Sequence, residues 1–271
     1  MLDTLYHSLS PVAFSLGPFV VRWYGLGYSL GFILAGFLLM RICKRWEIKF
    51  TLDSLLTLLI ACMFGTILGA RFGYVLFYGD GYYYSHPAEI FAFTQGGMSF
   101  HGGITGFAIG VLITSRITKM PFLTLGDLCA ICAPIGLGLV RCANFINGEL
   151  WGSTTDLPWG VVFDGAGPLP RHPTQLYEAF LEGVVLLVVL YLLARRKPPL
   201  PRGSFLGIFL IGYGIFRIAV EFIRQPDVQL GYLFNTSWIT MGMVLSVPML
   251  LIGAVLLYYA RKYQRPQEGQ K

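Results

Sequence analysis

Seven apolar runs, separated by short polar segments, dominate the pattern of this chain. Each run is roughly 20 residues long, which is the length that an α-helix needs to cross the hydrocarbon core of a bilayer. We therefore predict an all-α polytopic membrane protein with seven transmembrane helices. The predicted spans are residues 19–40, 53–78, 97–117, 125–147, 174–194, 203–223 and 237–260.

The basic residues between the spans fall mainly on alternate loops. They are grouped at 41–49, 116–119, 195–202 and 261–271, after the first, third, fifth and seventh spans. Because cytoplasmic loops carry an excess of lysine and arginine, we predict that the N-terminus lies outside and the C-terminus lies in the cytoplasm. The basic residues elsewhere are all arginines, whose planar guanidinium group grips phosphate or carboxylate at two points.

The composition supports a membrane protein, because 55% of the residues are hydrophobic and only 13% are charged. We predict a single membrane domain over 1–271, with an aromatic interfacial arm at 79–96, an extracytoplasmic cap at 148–173 and a polar cytoplasmic tail at 261–271. The five cysteines lie in or beside apolar runs, which is typical of packing thiols. The sequence contains no paired metal-ligand spacing and no glycine-rich nucleotide loop, so we expect no metal, no other cofactor and no nucleic acid partner.

The most informative stretch is 136–152, where an apolar run acquires Arg141, Asn144, Asn147 and Glu149. An arginine at the bilayer centre costs about 2.5–3.5 kcal/mol on insertion scales, so it needs a partner such as a carboxylate or a lipid phosphate. Arg141 and Asn144 are one helical turn apart on one face. The alternative is a purely structural cluster in which Arg141 pairs with Glu149.

His101 opens the third predicted span and is followed by Gly102 and Gly103. Histidine titrates near neutrality, and the glycines would let a substrate or another helix approach the backbone. The alternative is a close helix crossing through Gly102, Gly106 and Gly110, in the manner of small-residue helix contacts. That alternative explains the glycines but leaves the histidine unexplained.

Two further spans carry polar stripes. Tyr213, Arg217 and Glu221 follow one another at intervals of four residues, although Glu221 could simply neutralise Arg217. Glu178 and Glu182 lie on one face of the fifth span, where they would hold arginines in place. Tyr24 adds a hydroxyl group at the outer end of the first span. We expect one polar site in the outer half of the bilayer, formed by Tyr24, His101, Arg141, Glu149, Glu178, Arg217 and Glu221.

These residues resemble the prolipoprotein diacylglyceryl transferase family over nearly the whole chain. Four motifs in the family's order carry the resemblance. They are R-x-[GA]-N-F-x-N-x-E-x-x-G from Arg141 to Gly152, His101-Gly102-Gly103, the run 172–178, and Tyr213, Arg217 and Glu221 followed by Arg224-Gln225-Pro226-Asp227. One departure is Val140, where the family usually has glycine, so the close helix packing at that turn is open to question.

The resemblance implies transfer of the sn-1,2-diacylglyceryl group of phosphatidylglycerol to the lipobox cysteine of a prolipoprotein, the first step of lipoprotein maturation. A thioether forms and glycerol phosphate leaves. It further implies a bacterial inner-membrane protein whose active site faces the extracytoplasmic side, among membrane lipids. Arg141 and Arg217 would stabilise the leaving phosphate, and His101 or Tyr24 would be the base. The implied substrate-binding residues are Gly102, Gly103, Asn144, Asn147, Glu149, Glu178, Tyr213 and Glu221.

Three other functions compete with this interpretation. A transporter or channel would place its intramembrane charges along a path near the midplane, often within an internally repeated fold. A lipid-binding scaffold would use the arginines but not His101. Another lipid-headgroup enzyme is conceivable, but the aspartate-rich motif of the CDP-alcohol phosphotransferases is absent.

Overall fold

A computed structural model describes residues 1–17, 19–79, 81–92, 96–197, 199–226 and 231–263. Within these ranges the elements are predominantly helical. The helices are α1 (Leu2–Ser8), α2 (Trp23–Arg45), α3 (Leu52–Tyr78), α4 (Tyr82–Ser85), α5 (Phe100–Thr118), α6 (Phe122–Ile146), α7 (Thr174–Ala194), α8 (Ser204–Glu221) and α9 (Met241–Tyr263). The strands are β1 (Val12–Leu16) and β2 (Phe19–Arg22).

Six of these helices are long and apolar enough to cross a membrane, namely α2, α3, α6, α7, α8 and α9. The prediction of a mainly helical, multi-pass membrane protein is thereby confirmed. The 19-residue α5 matches the predicted span at 97–117 in position. The count of seven spans and the orientation of the two termini stay predictions.

A short antiparallel hairpin precedes the first span and was not expected. β1 pairs with β2, with Leu16 opposite Phe19, and Gly17 takes a φ of 58° in the turn. Valine and phenylalanine favour a strand, and glycine tolerates this positive φ. The apolar run that begins at residue 19 is therefore a strand up to Arg22, and the first long helix begins at Trp23.

The backbone divides into two compact units. The first comprises Met1–Glu47 and Asp127–Lys271. In this unit α2 packs against α6, where a Cβ atom on Gly31 would lie 3.2 Å from the Cα atom of Gly136. Asp127 accepts hydrogen bonds from the backbone N–H groups of Gly203 (2.7 Å) and Leu206 (2.8 Å), which fixes the first turn of α8.

The cap, residues 148–173, also belongs to the first unit. Its core is formed by Tyr6, Phe145, Val161 and Phe163, all of which are buried. Backbone bridges join Arg171 to Val161 and to Thr154. A small hairpin-like turn therefore follows Val161–Phe163. The predicted tail at 261–271 lies largely outside the described residues, since α9 ends at Tyr263.

The second unit is Ile48–Gly126, in which α3 and α5 cross at very short range. A Cβ atom on Gly106 would lie 1.8 Å from the carbonyl oxygen of Gly65, and one on Gly102 would lie 2.2 Å from that of Gly69. Gly102, Gly106 and Gly110 of α5 are thus accounted for by a close helix crossing. The predicted arm forms α4 and a 3₁₀ turn at Pro87–Phe91, except that residues 80 and 93–95 lie outside the described ranges.

Candidate functional site

A fully buried carboxylate, Glu178, is the centre of the charged cluster in the first unit. Its Oε2 atom lies 2.9 Å from Nε of Arg141. Its Oε1 atom accepts hydrogen bonds from Arg217 and from Arg224, the latter at 3.1 Å. Glu178 therefore draws guanidinium groups from α6, from α8 and from the segment after α8 to one point.

Two more glutamates complete this cluster. Nη2 of Arg217 lies 2.8 Å from Oε2 of Glu221, and Nη2 of Arg141 lies 3.8 Å from Oε2 of Glu182. The two arginine side chains are 12% and 16% exposed. Each guanidinium has five N–H donors, so it can bind a carboxylate on one edge and an oxyanion on another. Neutralisation of Arg217 by Glu221 is thus observed, whereas Arg141 pairs with Glu178 and Glu182.

The local shape of α7 explains how these groups meet. Ala179–Val185 is a π-helix, a rare conformation that occurs frequently at functional sites. A Cβ atom on Gly183 would lie only 2.7 Å from the Cα atom of Gly138, so α6 and α7 touch one turn away from Arg141. This close approach takes place at Gly138. Val140, which departs from the family pattern, does not prevent it.

Glu149 organises the end of α6. Its Oε1 atom accepts hydrogen bonds from Nδ2 of Asn144 (2.7 Å) and Nδ2 of Asn147 (3.3 Å), and its carbonyl oxygen accepts one from Nε2 of Gln175 (2.5 Å). Leu150 follows with a φ of 62°, a left-handed conformation that is strained for leucine. Such strain concentrates at functional sites. Glu149 therefore contacts Asn144, Asn147 and Gln175.

Two tyrosines of the predicted site also belong to the first unit. Tyr24 packs edge to face on Tyr28 in α2, with ring centroids 5.2 Å apart. Tyr213 interacts electrostatically with Arg217 and with the glutamates of α7. The first unit therefore gathers Tyr24, Arg141, Asn144, Asn147, Glu149, Glu178, Tyr213, Arg217 and Glu221.

His101, Gly102 and Gly103 belong to the second unit. His101 is exposed and lines a cavity of about 380 Å³ together with Phe77, Tyr78 and Ser99. Gly102 packs on α3, whereas a Cβ atom on Gly103 would make only ordinary contacts, at 3.6 Å or more. The joint participation of His101 and Arg141 in one site stays a prediction.

Sequence reasoning did not anticipate three buried contacts. Arg224, which the sequence placed only in a family motif after the sixth predicted span, binds Glu178. Its position seven residues after Arg217, on the same helix face, was the available signal. Arg71 is buried and donates hydrogen bonds to the carbonyl groups of Ile90 and Gly96. Gln175 carried no separate signal, since its contact depends on how α6 and α7 meet. Asp227 lies outside the described residues.

His172 and Arg171 belong to the cap rather than to the charged cluster. Arg171 donates hydrogen bonds to the carbonyl oxygens of Ala166 (3.1 Å) and Gly152 (3.2 Å). Nδ1 of His172 lies 3.3 Å from the hydroxyl of Tyr177, and burial lowers the pKa of His172. Arg171 therefore links segments of the cap, and His172 contacts Tyr177 in the first turns of α7. Among the described residues, no group of three or more histidine, cysteine, aspartate or glutamate side chains could hold a metal ion.

Comparison with known proteins gives consistent matches along the chain. The family described as prolipoprotein diacylglyceryl transferase matches residues 11–259. A phosphatidylglycerol–prolipoprotein diacylglyceryl transferase of Photobacterium profundum is 47% identical over 259 residues, covering 96% of each chain. One of the same name from Brucella anthropi is 48% identical over 276 residues, covering 97% of this chain and 98% of the relative.

Proposed function

This chain belongs to the prolipoprotein diacylglyceryl transferase family, and we propose that it transfers the sn-1,2-diacylglyceryl group of phosphatidylglycerol to the cysteine thiol of prolipoproteins. The structural observation that carries the proposal is the convergence of Arg141, Arg217 and Arg224 on the buried Glu178. Guanidinium groups fixed in this way suit a phosphate ester, because the planar fork matches phosphate oxygens. The substrate names come from the relatives, which share the full length of the chain.

The reaction is a displacement at a primary carbon. The thiolate sulfur attacks the glyceryl carbon that bears the phosphate, a C–S bond forms, and the C–O bond breaks. The electron pair stays on the phosphate oxygen, and glycerol phosphate leaves. The phosphate gains negative charge during this step, so fixed cations lower the barrier. Arg141 and Arg217 are the side chains that we assign to this role.

The glutamates fix the orientation of the arginine side chains in addition to balancing their charge. A guanidinium held by a fixed carboxylate keeps its orientation, so little reorganisation is needed when the phosphate arrives. The carboxylates also offset the cost of burying several cations in an apolar surrounding. In this scheme Glu178, Glu182 and Glu221 position Arg141 and Arg217, and none of them needs to touch the lipid. Tyr213 lies one turn before Arg217 in α8.

The thiol must lose its proton. A free cysteine has a pKa near 8.5, so only about 3% is thiolate at pH 7, and a base accelerates the reaction. His101 is our candidate for this base, and Tyr24 is the alternative. Gly103 would allow the peptide backbone to approach His101, whereas Gly102 serves the crossing of α3 and α5. Asn144, Asn147 and Glu149 would contact the lipid headgroup.

The location follows from the same proposal. The acceptor is the lipobox cysteine of a prolipoprotein signal peptide. The donor lipid and the acceptor peptide are both anchored in the membrane. We place the protein in the bacterial inner membrane, with the site facing the extracytoplasmic side. The argument is the concentration of basic residues in the loops at 41–49 and 195–202, which favours a cytoplasmic position for those loops.

A covalent assay separates this function from transport and from scaffolding. The purified chain in detergent is incubated with phosphatidylglycerol and a lipobox peptide, and the peptide is analysed by mass spectrometry. We expect a mass gain equal to one diacylglyceryl group, on the cysteine, that resists hydroxylamine as a thioether does. A peptide with serine in place of the cysteine is the control. An unmodified peptide with folded protein would overturn the proposal.

A further inference from the structure

A single buried arginine, Arg71 of α3, joins two segments of the second unit and is only 3% exposed. Its Nε atom donates a hydrogen bond to the carbonyl oxygen of Ile90 at 2.8 Å, and its Nη2 atom donates one to that of Glu89. Its Nη1 atom donates to the carbonyl oxygens of Gly96 (2.8 Å) and Gly97 (3.1 Å). One guanidinium group therefore holds the 3₁₀ turn of the interfacial arm and the segment that leads into α5.

All four acceptors of these hydrogen bonds are backbone carbonyl groups. A guanidinium group carries five N–H donors in a fixed planar geometry, so it determines where the carbonyl oxygens that it binds must lie. The ring of Tyr83 packs against this group, with the Cζ atom of Arg71 5.4 Å from the ring centroid, which further restricts its movement. Through these contacts Arg71 fixes the course of the backbone before α5.

The same constraint continues into the first turn of α5. Gly97 has a φ of 73°, and a Cβ atom there would lie 2.8 Å from Nη1 of Arg71. The N–H group of Ser99 donates to the carbonyl oxygen of Ala70 at 2.8 Å. Oγ of Ser99 in turn accepts a hydrogen bond from the N–H group of Gly102 at 3.3 Å and so caps the helix. Ala70 and Arg71 together therefore set where α5 begins.

His101 is the second residue of this helix. It lines the cavity described above together with Ser99, Phe77 and Tyr78. Because the geometry of an α-helix is regular, the position of its first turn fixes the direction in which the Cα–Cβ bond of His101 points. A base must lie within hydrogen-bond reach of the proton that it accepts, and a displacement of about 1 Å can cost roughly 10²-fold in rate. A shift of the segment before α5 would therefore displace His101.

We propose that Arg71 is a positioning residue for His101, because it holds the segment from which α5 begins. The inference rests on the proposed function, since it assumes that His101 accepts the proton of the substrate thiol. In this scheme Arg71 touches neither the thiol nor the lipid, and it acts through the backbone of residues 96–99. The effect of replacing Arg71 on the transfer rate should therefore depend on the presence of His101.

A double-mutant cycle tests this dependence. Arg71→Met should lower kcat by about ten-fold or more with little change in KM for phosphatidylglycerol, because the lipid phosphate is assigned to Arg141 and Arg217. In protein that already carries His101→Gln, Arg71→Met should lower kcat by less than about two-fold further, because two residues that act as a unit are not additive. Arg116→Met, the same change at an exposed arginine near the other end of α5, should leave kcat unchanged in both backgrounds.

Arg71→Lys is carried through the same cycle, so that poor folding of Arg71→Met does not leave the question open. Lysine keeps the charge and three N–H donors, so we expect kcat between that of Arg71→Met and that of the wild type. If the folded Arg71 variants lower kcat by the same factor with and without His101→Gln, Arg71 is merely structural and the proposal is wrong. It is also wrong if these variants keep the wild-type kcat, or if His101→Gln alone does not lower kcat. Wild-type protein that forms no thioether would instead contradict the proposed function itself.

Discussion

At the scale of single residues, Glu178 determines whether the arginines can act together. It is fully buried, and Arg141, Arg217 and Arg224 all contact it. Three cations at this separation would repel one another strongly in an apolar surrounding without a shared counter-charge. The carboxylate thus allows the three guanidinium groups to lie close together and also fixes their orientation.

Replacing Glu178 tests this role. Glu178→Gln leaves a buried cation uncompensated, so we expect a loss of about 3 kcal/mol in the free energy of unfolding and of roughly 100-fold in transfer rate. The matched control is Glu47→Gln, because Glu47 is exposed and pairs with Lys197 at 3.6 Å, a contact worth about 0–1 kcal/mol. Thermal unfolding in detergent and the transfer assay give both quantities. Equal unfolding midpoints and rates in the two variants would refute the role.

The identity of the base is a second question at this scale. If His101 accepts the thiol proton, His101→Gln should lower the rate by 10²-fold or more and remove the fall in rate on acidification through the range where histidine titrates. Tyr24→Phe should then retain that fall. The measurement is the pH dependence of kcat for both variants. A loss of rate confined to Tyr24→Phe would instead assign the role to Tyr24, and unchanged rates and profiles in both variants would exclude the two residues.

The sequence indicated most of the charged residues of the site but not all of their partners. Arg141, Arg217 and Glu178 stand out because a charge in an apolar run needs compensation. The places of Arg224 and Gln175 depend on which helix faces meet, which one chain's periodicity does not reveal. The same limit applies to the pairing of Arg141, which contacts α7 rather than Glu149 in its own segment.

At the scale of elements, the contact between α6 and α7 sets the geometry of the charged cluster. Gly138 and Gly183 let the two backbones touch, and the π-helix at Ala179–Val185 lies directly after Glu178. A side chain at this contact would separate the helices. Because Arg141 lies one turn from Gly138, the separation would be transmitted to its contact with Glu178.

Gly183→Ala should therefore destabilise the protein by about 1–3 kcal/mol through overpacking and should lower the transfer rate as well. Gly136→Ala is the matched control, because a Cβ atom there would meet no atom within 4 Å. Thermal unfolding and transfer rate are measured for both variants. The explanation fails if Gly183→Ala behaves like Gly136→Ala.

The long elements were predicted well, and the short ones were not. The predicted spans at 53–78 and 174–194 agree closely with α3 and α7, because hydrophobic length is a direct signal of a spanning helix. The β1–β2 hairpin was missed because its apolar residues merge with the first span. The π-helix was missed because a hydrophobic run does not distinguish it from an α-helix.

At the scale of the whole molecule, the sequence predicts an asymmetry of charge between the two sides of the membrane. Lysine occurs in the loops and tail assigned to the cytoplasm, and the charged residues of the predicted site lie toward the cap. A site that uses a secreted substrate must face away from the cytoplasm, so the predicted orientation and the proposed function depend on each other.

Reporter fusions test the orientation. Alkaline phosphatase inserted after Gly165, an exposed cap residue, should be active, because that enzyme works only outside the cytoplasm. The same insertion after Lys197, in a basic loop, should be inactive, while green fluorescent protein at Lys271 should be fluorescent. Alkaline phosphatase that is active after Lys197 and inactive after Gly165 would show that the orientation is the opposite of the predicted one.

The most direct test of the account is the release of glycerol phosphate from phosphatidylglycerol by the purified chain with a lipobox peptide. We predict that release requires the peptide cysteine and falls by 10²-fold or more in Arg141→Ala, while Arg22→Ala, which removes an exposed arginine, stays near the wild-type rate. Release that persists with a cysteine-to-alanine peptide, or in folded Arg141→Ala, would contradict the assignment of thiol acceptor and phosphate site.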